Sequence, residues 1–177
     1  DPDRGTTSVE VDDDVLRALV SEAAEGVVAL REAEGTRLQD DMVGRLDALA
    51  AELDRVEERA PERLVSERDR LREAVRALTE QVEVDEDRLA REIAYLAEKW
   101  DINEELVRFR SHLRLFRETL EADAAEPVGK RLSFLVQEMH REANTIGSKA
   151  NDAEIAQSAV AMKEEIERLR EQVENVE

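Results

Sequence analysis

The chain has 177 residues, 40% of them charged and only 3% aromatic, with a formal net charge of −19. A composition rich in Ala, Glu, Leu and Arg excludes a sheet sandwich and a disordered tail, and points to long helices. The absence of cysteine excludes disulfides, thiolate metal sites and cysteine nucleophiles, and makes a reducing, cytoplasmic setting the expectation.

Residues 1–10 hold Pro2, Gly5, Thr6 and Thr7 without periodicity and read as a flexible lead-in. From Val11 onward apolar residues recur at helical spacing, first at Val15, Leu19, Ala23, Val27 and Leu30, then at Leu38, Met42, Leu46, Leu49, Leu53 and Val56. Gly26, Gly35 and Gly44 lie inside this pattern, each costing about 1 kcal/mol against Ala in a helix. Packing can absorb that cost, so one long helix is expected here, with a bend or break near Gly35 as the alternative. Pro61 disfavours helix at Ala60 and suits the first residue of a new helix. A second stripe follows at Leu64, Leu71, Val75, Leu78 and Val82, so residues 11–84 are expected to form a long antiparallel helical hairpin.

Asp85 is placed to cap a helix that has Glu86 and Asp87 in its first turn. Its stripe is Leu89, Ile93, Leu96 and Trp100. Asp101 and Glu104 have capping-box spacing for a further helix, with stripe Ile102, Leu106, Phe109, Leu113, Phe116 and Leu120. The two stripes are nearly in phase, so one kinked helix fits equally well. Pro127 reads as another first helical residue, followed by Val128, Leu132, Leu135, Met139, Ala143 and Ile146, with Gly147 as a C-cap. Asn151 and Glu154 repeat the capping-box spacing. The final stripe, Ile155, Ala159, Met162, Ile166, Leu169, Val173 and Val176, is close to a heptad seam. The predicted fold is all-α: the long hairpin, then a compact bundle of about four helices over 85–177. No apolar run approaches the roughly 20 residues needed to span a bilayer, so no membrane partner is expected.

Charge is unevenly distributed. Residues 1–105 carry 31 acidic and 15 basic side chains, residues 150–177 carry 8 and 3, and residues 106–149 carry 6 and 8. The one net-positive stretch is central and contains Arg108, Arg110, Arg114, Arg117, Lys130, Arg131, Arg141 and Lys149. It also contains His112 and His140, the two histidines of the chain and the side chains whose ordinary pKa lies nearest neutrality.

Two constellations in this region carry chemistry. On a continuous helix Glu98, Asp101, Glu105, Arg108 and His112 would share one face. Cleavage of a phosphodiester needs carboxylates for a divalent cation, a group to move protons, and cations for the phosphate, and this face offers all three. The same spacing also describes a solvated, ion-paired face. In the second constellation Glu138 and Glu142 are four apart and share a face, with Arg141 one turn from Glu138, while His140 points elsewhere. This is not the two-His spacing of a zinc protease. Paired hard oxygen ligands suit Mg²⁺ or Mn²⁺ better than Zn²⁺. Phe109 and Phe116 lie on the apolar stripe and are assigned to the core.

The run Gly129-Lys130-Arg131-Leu132-Ser133-Phe134-Leu135-Val136-Gln137-Glu138-Met139, continuing through Arg141-Glu142-Ala143-Asn144-Thr145-Ile146-Gly147-Ser148-Lys149, resembles the C-terminal signature of the YicC family. So does the ending from Met162-Lys163 to Glu177, and so do Asp85 to Leu89, Leu96 to Leu106 and Ser111-His112 upstream. The resemblance covers 85–177 closely and 30–38 more loosely. It implies an endoribonuclease that needs a divalent metal, forms a ring-like homo-oligomer of hexameric type around RNA, uses no small-molecule cofactor, and carries an additional N-terminal domain. On that basis Glu98, Glu105, Glu138 and Glu142 are the candidate metal ligands. His112, with Glu138, Arg141 and Glu142, is the candidate catalytic group. Arg108, Arg110, Lys130, Arg131, Asn144 and Lys149 are the candidate RNA contacts. His140 stands where the family string has Asn, which argues against a required imidazole there. The rival expectation is a helical oligomerisation or RNA-binding scaffold that cuts nothing.

Overall fold

Apolar residues at three- and four-residue intervals make helix the regular option for almost the whole chain. The structure, a computed structural model, describes residues 12–78, 85–122 and 127–176. Five helices follow in order: α1 (Asp13–Leu78), α2 (Glu86–Lys99), α3 (Asn103–Glu121), α4 (Gly129–Lys149) and α5 (Ala153–Val173). Among the described residues there is no strand, and no helix is long and apolar enough to cross a membrane. The expected lead-in at 1–10 and the last position of the second stripe, Val82, lie outside the described residues.

The chain divides into two units, Asp1–Gln39 and Asp40–Glu177. In the first, residues 13–39 are helical, and Val15, Leu16, Leu19, Val20, Val27, Val28 and Leu30 are all more than half exposed. Helix continues through Gly35, as the reading of one long helix expects, and the alternative of a break there is not realised.

The expected hairpin does not form. Helix α1 runs through Pro61 with no turn. A proline inside a helix removes one hydrogen bond and costs about 3 kcal/mol. The helix persists here because both flanks are held in the second unit: Leu53 and Val56 before the proline and Arg63 after it are buried. Packing overrides the local signal.

The core of the second unit is built by four helical faces. Met42, Leu46, Leu49, Leu53 and Val56 of α1 are buried, as are Leu106, Phe109, Leu113 and Phe116 of α3. Leu132, Leu135, Val136, Met139, Ala143 and Ile146 come from α4, and Ile155, Ala159, Met162, Ile166, Leu169 and Val173 from α5. Helix α2 has no fully buried residue. The fourth wall of the bundle is thus the later part of α1, not α2. Ion pairs lock that wall in place: Arg110 reaches Asp54 at 2.6 Å and Glu57 at 2.8 Å, and Arg45 reaches Glu165 at 3.3 Å.

Arg63 fastens three helices. It is only 3% exposed. Its Nη1 donates to the carbonyl of Ala150 at 2.7 Å, and its Nη2 donates to the carbonyl of Trp100. Those carbonyls belong to the C-caps of α4 and α2, where helices leave acceptors unpaired. Burial pulls the guanidinium below its ordinary pKa, and Asp152 and Asp101 oppose that pull.

Several helix ends differ from expectation. Asp85 does cap α2, accepting from the N–H of Arg88 at 3.0 Å. The kinked-helix alternative fails: α2 ends at Trp100, and Asp101 Oδ1 accepts from the N–H of Asn103. Helix α4 begins at Gly129, two residues after Pro127, and glycine is required there because a β-carbon would lie 2.6 Å from the Val176 carbonyl oxygen. Gly147 is no C-cap. It lies inside α4, where its missing side chain leaves room for Ala159 of α5. Asn151 takes the left-handed conformation (φ 44°) between α4 and α5, and Asp152, not Asn151, caps α5. The seam of α5 is buried as expected from Ile155 to Val173.

Candidate metal centre

Two faces meet across α3 and α4. On α3, Glu105, Arg108 and His112 recur at three and four residues; on α4, Glu138, Glu142 and Lys149 share a face. Each helix is fixed in rotation by its opposite, buried face: Phe109, Leu113 and Phe116 on α3, Leu135, Met139 and Ile146 on α4. The contacts run antiparallel. Lys149 Nζ donates to Glu105 Oε1 at 2.7 Å, Arg108 Nη1 lies 3.9 Å from Glu142, and His112 closes the far end.

There the ligand atoms of His112, Glu138 and Glu142 all lie within 4.8 Å of one another. Glu142 is almost wholly buried, its side chain 4% exposed, whereas Glu138 is 26% exposed and has Arg141 at 3.8 Å. A buried carboxylate is costly unless a cation and hydrogen bonds compensate it. Arg108 is a poor compensation for Glu142, because it is half exposed and also bonded to Glu104. The donor set fits a divalent cation. Two donors at about 2.1 Å from one ion lie at most about 4.2 Å apart. Closing 4.8 Å to that value takes small side-chain adjustments.

The expected site residues divide accordingly. His112, Glu138 and Glu142 are brought together, with Arg108 and Arg141 beside them. Glu98 is exposed on α2, outside the cluster. Glu105 is also outside it: two turns along α3 from His112, buried, bonded to Lys149, and with its Oε2 lacking a hydrogen-bond partner. Arg110 is engaged with Asp54 and Glu57 of α1, which hold its pKa above the ordinary value through hydrogen bonds to both. Lys130 and Arg131 are exposed in the first turn of α4. Asn144 contacts His140 Nδ1 at 3.3 Å, away from the cluster. A cavity of about 450 Å³ lies between α1 and α5 and shares no residue with the cluster.

Two residues were not singled out from sequence. Arg63 carries no motif, and its role depends on the meeting of three helices. Phe134 is 58% exposed, and its signal was present: it falls off the stripe formed by Leu132, Leu135 and Met139.

The family model described as "Endoribonuclease YicC-like, C-terminal" matches residues 56–177. The "Probable endoribonuclease YicC" of Clostridioides difficile (strain 630) is 37% identical over 173 residues, covering 95% of this chain and 58% of that protein. The "Probable endoribonuclease YicC" of Haemophilus influenzae Rd is 36% identical over 150 residues, covering 85% of this chain and 51% of that protein. The chain thus spans little more than half the length of these relatives.

Proposed function

This chain belongs to the YicC-like endoribonuclease family, and from that premise we propose that it cleaves RNA phosphodiester bonds at a divalent-metal centre held by His112, Glu138 and Glu142. The convergence of these three ligand atoms from two helices carries the reading. Three protein donors leave positions open for substrate oxygens. One imidazole nitrogen with two carboxylate oxygens favours Mn²⁺ over Mg²⁺, since imidazole is a softer ligand than the hard oxygens Mg²⁺ prefers.

A bound divalent cation supplies charge stabilisation at the scissile phosphate or a more acidic water. The chain's own residues do the rest. Arg141, 68% exposed, and Arg108, half exposed, point cationic donors to the rim and engage the phosphate. A ring nitrogen of His112 that holds the cation cannot also accept a proton, so His112 is a ligand in this reading and general-base duty falls elsewhere. Lys149, tethered by Glu105, lies about 10 Å further along α4 from Glu142 and meets a neighbouring phosphate.

The test joins binding to chemistry. Calorimetric titration with Mn²⁺ should give saturable binding that is lost in Glu138→Gln and Glu142→Gln. The same variants should lose cleavage of an end-labelled RNA by about 10²-fold or more. Wild-type cleavage by both variants would sink the assignment. A 2′,3′-cyclic phosphate on the product would indicate attack by the ribose hydroxyl; a 5′-phosphate would indicate attack by water.

The scaffold reading is favoured by a different observation, the exposed apolar residues Val15, Leu16, Leu19, Val20, Val27, Val28 and Leu30. Such a stripe suits contact with other chains, as in a homo-oligomeric ring. Bound RNA that stays intact with Mn²⁺ present would favour it over catalysis.

A further inference from the structure

Of the five aromatic side chains, Phe109 and Phe116 are buried in the core and Trp100 is half buried. Only Tyr95 and Phe134 are exposed, at 61% and 58%. Tyr95 lies on α2, which contributes nothing to the metal cluster. Phe134 lies on α4, one turn before Glu138 and two turns before Arg141. Residues three, four and seven apart share a helix face. Lys130, Phe134, Glu138 and Arg141 therefore form one outward stripe, with Arg131 at its edge.

An apolar ring flanked by cations has two kinds of natural cover. A protein surface laid over Phe134 would also bury Lys130, Arg131 and Arg141, at a desolvation cost each would need a counterion to offset. A single-stranded nucleic acid meets both needs, since its phosphates neutralise the cations while a base stacks on the ring. Lys130 and Arg131 are exposed and make no ion pair with a described residue. Arg141 has only the 3.8 Å contact to Glu138. The stripe is therefore cationic and accessible where the ring is.

We propose that Phe134 is a stacking platform for an unpaired base beside the scissile phosphate, which makes single-stranded RNA the substrate class. The word "scissile" rests on the metal-centre reading above; the stacking itself does not. Four residues, about 6 Å, separate Phe134 from Glu138 along α4, so the stacked base and the phosphate at the cluster are near neighbours on the strand. Duplex RNA keeps its bases stacked on each other and offers none to the ring.

The experiment measures binding in chelator, so that neither metal nor cleavage enters. A single-stranded RNA carrying 2-aminopurine is titrated with the full chain and with Phe134→Ala, Phe134→Leu and Phe134→Trp, beside a blunt duplex. Wild type should quench the fluorophore and prefer the single strand. Phe134→Ala should weaken binding by about ten-fold or more. Phe134→Leu should behave like Ala, and Phe134→Trp should retain both affinity and quenching. The ring is exposed, so these variants should keep the wild-type circular dichroism. The proposal is overturned if wild type does not bind single strands or binds duplex equally well. It is overturned if Ala and Leu bind like wild type. It is overturned if Phe134→Ala changes the sedimentation mass and leaves RNA affinity intact, which would mark the ring as a protein contact. Mn²⁺ titration tests the metal centre separately, so either idea can fail alone.

Discussion

Replacing Glu142 by Gln should stabilise the protein in chelator and destabilise it, relative to wild type, in Mn²⁺. The glutamate is 4% exposed, and the nearest cation among the described residues is Arg108 at 3.9 Å. At that separation a pair interacts by about 4 kcal/mol at an effective dielectric of 20. Arg108 is half exposed and bonded to Glu104, which lowers the attraction toward the 0–1 kcal/mol of surface pairs. Desolvating the carboxylate costs several kcal/mol. A neutral isostere should therefore gain about 1–2 kcal/mol without metal. Metal at about 100 times its dissociation constant should add about 2.7 kcal/mol to wild type and little to the variant. For a unit of this size 1 kcal/mol shifts Tm by about 3 °C. Thermal melts followed by circular dichroism should place Glu142→Gln about 3–6 °C above wild type in chelator and a few degrees below it in Mn²⁺. If the variant is less stable than wild type in chelator by more than about 1 kcal/mol, Glu142 is a structural partner of Arg108, and the argument for an awaited cation fails.

Arg63→Met removes charged donors from the Ala150 and Trp100 carbonyls. Each such bond is worth about 1.5–3 kcal/mol, offset by relief of the buried charge, so a loss of about 2–4 kcal/mol in urea unfolding is expected; a loss under 1 kcal/mol would refute the three-helix fastening. Asp152→Ala removes the cap that accepts from Glu154 and Ile155 of α5, and should cost about 1 kcal/mol. Burial raises the Asp152 carboxyl, but the N–H of Ile155, the Arg59 guanidinium and the N–H of Glu154 outweigh it and hold the pKa below the ordinary value. A carboxyl depressed on folding stabilises the fold above its unfolded pKa and loses that contribution as pH falls through the folded value. The difference between wild type and Asp152→Ala should thus be constant near neutrality and shrink below about pH 4. A difference unchanged down to pH 2 would contradict the assignment.

Periodicity made the α5 seam legible, and local chemistry made the Asp85 cap legible, because both depend on neighbours in sequence. The hairpin expected at Pro61 does not form because the proline acts locally whereas Leu53, Val56 and Arg63 are held by the bundle. The same limit governed the site. His112, Glu138 and Glu142 were recognisable as chemical types, but their convergence depends on the antiparallel register of α3 against α4, which no single-helix pattern contains. Glu105 and His112 share a face, yet seven residues separate them by about 10 Å. Face sharing alone therefore could not tell a ligand from the tether of Lys149.

The charge distribution takes on a different meaning once its partners are known. Of the eight basic residues between 106 and 149, Arg110 and Arg117 reach acids of α1, Lys149 holds Glu105, and Arg114 has Glu118 at 3.8 Å. Arg108 is shared between Glu104 and Glu142. The cations least committed elsewhere are Lys130, Arg131 and Arg141, all on α4 and flanking Phe134. The net charge of −19 is thus compatible with RNA binding, because the acidic excess lies largely before 106 and after 149. Under the proposed reading few phosphates are neutralised. Each contributes about −0.7 to the slope of log affinity against log salt on a single strand, so Lys130, Arg131 and Arg141 with Arg108 and Lys149 predict a slope of at most about −3.5. A Lys130→Gln, Arg131→Gln double variant should lower its magnitude by about 1.4, while Phe134→Ala should leave the slope unchanged and reduce affinity at every salt concentration. A wild-type slope much steeper than about −3.5 would require cations beyond these five, and the strand would then follow another path.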